Sequence, residues 1–166
     1  MTQLVPMTIK GLMLDPVSNS PIVVLRDTDD KFFLPIWVGI FEANAIALQL
    51  ENVSTPRPMT HDLLKNLIGE LHARVTRIVI HELRDSTFFA QIRLTTDDES
   101  GERTLELDAR PSDAIALALR TAAPIFVSQT VLDQAQTISP ETEEQAEKSK
   151  NWFEELSPED LGKYKM

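Results

Sequence analysis

Asp108-Ala109-Arg110-Pro111-Ser112-Asp113-Ala114-Ile115-Ala116-Leu117-Ala118 is the stretch on which the fold turns. Up to Ala109, from Arg103, apolar and polar side chains alternate, as they do in a half-buried strand; Ser112 to Arg120 reads as a helix, and from Ala114 to Leu119 it is apolar nearly all round. Pro111 marks the change. Its fixed φ suits the first position of a helix, and it holds the preceding Arg110 extended. A helix without a polar face must be buried on most of its surface, so Ala114 to Leu119 is predicted to be a core helix packed on a sheet.

Working outward, Thr87 to Thr95 alternates with Phe88, Ala90, Ile92 and Leu94 on one face and Gln91 and Arg93 on the other. Val75 to Leu83 precedes it across Arg84-Asp85-Ser86, which suggests a hairpin, and the loop Asp97 to Glu102 leads to the third strand. The first half reads similarly. Leu4 to Leu14, Ile22 to Arg26 and Phe32 to Trp37 are β-favouring runs separated by the turn-type clusters Asp15 to Pro21 and Asp27 to Asp30. Helices are predicted at Phe41 to Leu50 and at Asp62 to Leu71, where Leu63, Leu64, Leu67, Ile68 and Leu71 recur at helical spacing. Strand triplets followed by helices give an α+β domain: mostly antiparallel sheet packed with buried helices rich in Ala and Leu. Asn44-Ala45-Ile46-Ala47-Leu48 echoes Asp113-Ala114-Ile115-Ala116-Leu117, as a duplicated unit or, the reading favoured, as convergent core composition.

The composition divides the chain into a body, residues 1–137, and an acidic helical C-terminal tail, residues 138–166. Ser139-Pro140-Glu141 has the form of a helix start. Trp152, Phe153 and Leu156 fall on one helical side, and a tryptophan is seldom left in water, so the tail is expected to dock on the body or on a protein partner. With 0 cysteines, disulfides, thiolate metal sites and cysteine nucleophiles are excluded. The N-terminus has neither a basic n-region nor a long apolar h-region, and no stretch is apolar for the roughly 18 residues a membrane helix needs, so a cytoplasmic protein is expected. The net charge of −10 works against long-range attraction of nucleic acid; even the body holds 18 acidic against 12 basic side chains. A phosphate site on such a protein has to be a local positive pocket, or use a bound divalent cation.

Two segments carry the candidate chemistry. Arg57-Pro58-Met59-Thr60-His61-Asp62 and Arg110-Pro111-Ser112-Asp113 each place Arg before Pro, then a hydroxyl and an aspartate, where a helix is predicted to begin. A helix N-terminus offers free N–H groups and a positive dipole end to an anion, and arginine adds a bidentate phosphate donor. Helix capping accounts for Thr60, Ser112, Asp62 and Asp113 without any ligand. It does not account for the arginines, which gain nothing beside the positive end of a dipole unless a carboxylate or phosphate is close. Glu42, Asp62, Asp108 and Asp113 are the carboxylates that could hold Mg²⁺ or Mn²⁺, and His61 is a candidate general base or metal ligand. No phosphate-cradling glycine loop, H-E-x-x-H or nucleophile-elbow serine is present, which sets aside nucleotide kinases, zinc proteases and serine hydrolases.

Leu34-Pro35-Ile36-Trp37-Val38-Gly39, Glu42-Ala43, Ala45-Ile46-Ala47, Arg57-Pro58, Thr60-His61-Asp62-Leu63 and the Asp108 to Ala118 string together resemble the bifunctional nuclease domain family, over roughly residues 5–135. The resemblance implies an α+β fold, homo-oligomeric assembly and nuclease activity on DNA and RNA. Carried over by motif, it makes Arg57, His61, Asp62, Arg110, Ser112 and Asp113 the site candidates, with Glu42 and Asp108 behind them. Two readings follow. In the first, Asp62 and Asp113, with Asp108 or Glu42, hold a divalent metal while Arg57, Arg110 and Ser112 bind the phosphate and His61 or a metal-bound water begins the attack. In the second, the arginines form structural ion pairs and the protein is a non-catalytic interaction or oligomerisation module.

Overall fold

The computed structural model describes residues 2–135. Seven strands form one sheet: β1 (Leu4–Leu14), β2 (Pro21–Asp27), β3 (Phe33–Trp37), β4 (Ala73–Arg84), β5 (Thr87–Asp98), β6 (Gly101–Ala109) and β7 (Ile125–Ser128). The helices are α1 (Ile40–Leu50), α2 (Thr60–Glu70), α3 (Pro111–Thr121) and α4 (Gln129–Gln134). The predicted α+β class holds, and every strand and helix read from the sequence within the described residues is present to within a few residues at its ends.

The strand order is β3-β2-β1-β7-β4-β5-β6. Two antiparallel meanders, β1-β2-β3 and β4-β5-β6, are joined by β7, which runs antiparallel to β1 and parallel to β4. The β4-β5 hairpin turns on Asp85 and Ser86, both at positive φ (49° and 59°), the pairing that matches the twist of a two-residue hairpin. Asn44 to Leu48 and Asp113 to Leu117, which echo each other in sequence, lie on the first helix after each meander.

The core lies between one face of the sheet and the helices. Val23, Leu25, Leu34, Ile36, Ile78, Ile80, Ala90 and Ile92 supply the sheet side, and Ala45, Ile46, Ala114, Ile115 and Leu117 the helical side. Ile46, Ile115 and Leu117 are fully buried, each contributing about 1.5–3 kcal/mol relative to exposure in water. α1 and α3, both carrying buried alanines, pack on each other, and α2 packs on α3 beside them.

One expectation changes. Thr60 was expected to cap α2, but the helix begins with it; Met59 precedes, and its N–H donates to Asp62 Oδ2 at 2.9 Å. The leucines of α2 recur at helical spacing as read, yet of that stripe the helix buries only Ile68, with His61 beside it. Leu63, Leu64, Leu67 and Leu71 remain exposed.

Candidate functional site

The first turns of α2 and α3 meet through His61 and Asp113. His61 Nε2 lies 2.9 Å from Asp113 Oδ1, so with an ionised carboxylate Nε2 is the nitrogen that carries the proton. Asp113 Oδ2 accepts from Arg110 Nε at 2.8 Å, and Arg110 Nη2 donates to Glu42 Oε1 at 2.8 Å. The result is a chain Glu42–Arg110–Asp113–His61 drawn from α1, the β6–α3 junction and α2. Its members differ in access: the Arg110 side chain is 65% exposed, that of His61 only 11%.

The backbone sets these positions. Pro111 at the first turn of α3 leaves Arg110 extended, with ψ of 144°, and brings Asp113 three residues on within reach of its guanidinium. Gly39, just before α1, is needed for a different reason: a Cβ there would overlap the Glu42 carboxylate, so the missing side chain lets Glu42 fold back towards Arg110.

Asp62, the next residue after His61, turns to the other end of α3. Arg120 Nε donates to Asp62 Oδ1 at 2.7 Å, while its two terminal nitrogens donate to Ala116 O at 2.9 Å and Ala45 O at 3.1 Å. The Arg120 side chain is 2% exposed. One buried guanidinium thus ties α1, α2 and α3 together, and the consecutive residues His61 and Asp62 anchor α2 at two points along α3.

Beside this anchor lies a cavity of about 310 Å³, lined by Gln49, Ser54, Thr55, Arg57, Asp62, Asn66 and Arg120 among others. Arg57 is exposed and forms no ion pair among the described residues. The two arginines singled out in the sequence therefore differ: Arg110 is engaged by two carboxylates, and Arg57 faces a polar cavity.

The electrostatics follow from these contacts. For Asp113, burial raises the pKa, but the hydrogen bonds and charges of Arg110 and His61 outweigh it and leave the carboxyl below its ordinary value. Burial likewise opposes ionisation of Asp62, and the Met59 N–H together with Arg120 reverses the balance. Arg110 is raised, first by its hydrogen bond to Asp113 and then by that to Glu42.

Other sequence candidates sit apart. Asp108 is exposed on the edge strand β6, opposite Gln91. Ser112 is buried inside the first turn of α3. Among the described residues no three of His, Asp or Glu converge in a group able to hold a metal ion, and Glu42, Asp62 and Asp113 each face an arginine. These four carboxylates thus do not fit a preformed Mg²⁺ or Mn²⁺ site. Arg120 and Gly39 escaped the sequence reading. An arginine in the last turn of a helix looks like an ordinary partner of the dipole, and a glycine before a helix looks like a plain boundary.

A domain with two three-stranded meanders in one sheet and an arginine–carboxylate–histidine chain at its helix N-termini can be set beside known proteins. The bifunctional nuclease domain model matches residues 23–140, and the chain belongs to that family. It is 35% identical over 161 residues to an uncharacterized protein of Mycobacterium tuberculosis, covering 91% of this chain and 94% of that one. It is 28% identical over 121 residues to Bifunctional nuclease 1 of Arabidopsis thaliana, covering 72% of this chain and 37% of the plant protein. With Bifunctional nuclease 1 of Oryza sativa subsp. japonica the identity is 26% over 117 residues, 70% of this chain and 35% of that protein.

Proposed function

We propose that this protein hydrolyses phosphodiester bonds of DNA and RNA, at the face where α2 and α3 begin. The observation that carries the proposal is the Glu42–Arg110–Asp113–His61 chain, which sets an exposed guanidinium beside a carboxylate-oriented imidazole. Family membership and the names of the plant relatives support it.

In this reading Arg110 takes the oxygens of the reacting phosphate and offsets the charge that builds up during displacement, while Arg57, in its polar cavity towards the other end of α3, holds a phosphate further along the strand. Asp113 holds the imidazole by Nε2, leaving Nδ1 to accept a proton from the attacking water. Arg120 does not touch substrate; it fixes Asp62 and with it the turn that carries His61. Because the carboxylates do not form a metal group, no step is assigned to a metal. The enzyme is read as cytoplasmic and homo-oligomeric, with the nucleic acid as its substrate.

The test is hydrolysis of single- and double-stranded DNA and RNA by purified protein, with and without EDTA, beside Arg57→Ala and Arg110→Ala prepared identically. Cleavage by the parent and a loss on the order of 10²-fold in Arg110→Ala are expected. Equal rates in all three proteins would mean a contaminating nuclease.

A second reading, a non-catalytic interaction module, is favoured by one fact: Glu42, Asp62 and Asp113 already have arginine partners, so the cluster is satisfied without substrate. It predicts that Arg110→Ala loses stability, that Arg57→Ala does not, and that the parent cleaves nothing.

A further inference from the structure

The outer face of α2 has no partner among the described residues. Leu63, Leu67 and Leu71 are 62%, 52% and 66% exposed at successive four-residue steps, with Leu64 beside them. An apolar stripe of this regularity on a helix is a surface that something covers. A second copy of the chain is the obvious occupant, but the stripe is too small for one. A helix of 11 residues is about 16 Å long, and a stable pair of proteins ordinarily buries about 800 Å² on each partner. A segment of the same chain needs less area, because its effective concentration is high.

We infer that Trp152, Phe153 and Leu156 of the C-terminal tail dock on the leucines of α2. The tail offers the matching pattern, three apolar side chains on one helical side in an otherwise charged stretch. Its origin is suitably placed: α4, which leads into it, packs against β4, as α2 does, and the buried side chains of both helices belong to the same core cluster. The 17 residues from Ala135 to Trp152 span about 25 Å even if wholly helical, enough to cross a domain of this size. Docking would place a tail carrying 8 acidic and 4 basic side chains over the helix whose first turn holds His61 and Asp62.

The 0 native cysteines make a direct test possible. Leu67→Cys and, separately, Leu105→Cys on the exposed edge strand are made in the full chain, and the rate of maleimide labelling is measured. The thiol at position 67 is expected to label several-fold more slowly than that at 105. Adding Trp152→Ala and Phe153→Ala should abolish this protection and leave position 105 unchanged; both substitutions lie outside the sequence of the body, and circular dichroism checks that it stays folded. Labelling at position 67 that ignores the tail substitutions overturns the inference. So does protection that fades on dilution, which assigns the stripe to a second copy.

Discussion

Arg120 shows how one residue can organise a site it does not occupy. Its guanidinium is buried and bonded to Asp62 and to two backbone carbonyls, so truncation leaves the Asp62 carboxylate without its charged partner and removes a second donor from two helix carbonyls. Arg120→Met should cost about 3 kcal/mol of stability, read by urea denaturation. A loss under about 0.5 kcal/mol would mean that α2 is held elsewhere. Gly39→Ala should behave differently: Glu42 can swing aside at little cost, so the melting temperature stays close to the parent's while the Arg110 contact is lost and hydrolysis falls as in Glu42→Gln. If Gly39→Ala hydrolyses like the parent, the position of Glu42 does not matter to the chemistry. Acid should also be felt here. Asp62 and Asp113 have folded pKa values below their ordinary ones, so the folded state binds fewer protons than the unfolded state. The stability they contribute is complete above about pH 4 and is lost as pH falls through their folded values. Urea midpoints from pH 6 to pH 2 should therefore drop more steeply for the parent than for Asp113→Asn. At this scale the sequence marked Arg110, Asp113, His61 and Asp62 by their place beside Pro111 and Pro58. It could not show that His61 faces Asp113 and Asp62 faces Arg120, because those contacts cross 52 and 58 residues of chain.

At the scale of elements, α3 is the axis of the molecule. It follows the edge strand, packs on α1 and α2, and carries Ile115 and Leu117 into the core with no exposed surface. Ile115→Ala should cost about 2–5 kcal/mol, measured by the same denaturation, with the spread set by how far the neighbouring alanines can close the cavity. An effect under 1 kcal/mol would mean that the helix does not sit against the sheet as described. The β4-β5-β6 meander and the buried helices were legible because alternation of period two and all-round apolar runs are strong signals over nine to twelve residues, and β1 to β3 because turn-type clusters separate their β-favouring runs. β7 and α4 were missed. Four and six residues are too few to show a period, and β7 acquires its strand character from β1 and β4 on either side. The stripe on α2 was legible as a pattern but not as a location, since periodicity shows that a face is apolar and not what covers it.

For the whole molecule, the difficulty is charge. Under the proposed function, a protein of net charge −10 has to confine its positive potential to a small area to take a polyanion. The cavity, where Arg57 and Arg120 stand against the single carboxylate of Asp62, meets that requirement, whereas the charge of Arg110 is countered by Glu42 and Asp113. Affinity should accordingly fall with added salt, but with a shallow slope set by the one or two phosphates contacted rather than by a broad basic surface. The tail, residues 138–166, lies outside the described residues, so its predicted helix belongs to the sequence alone. The 35% identity to the mycobacterial protein runs over 161 residues, whereas the plant nucleases share only the domain. The most direct measurement is the single-turnover cleavage of end-labelled single-stranded RNA and DNA by Asp113→Asn beside the parent, with both shown to be folded by circular dichroism. Orientation of His61 by Asp113 predicts cleavage by the parent and a rate lower by about 10²-fold or more in the variant; an Asp113→Asn protein that cleaves at the parent's rate would contradict the account.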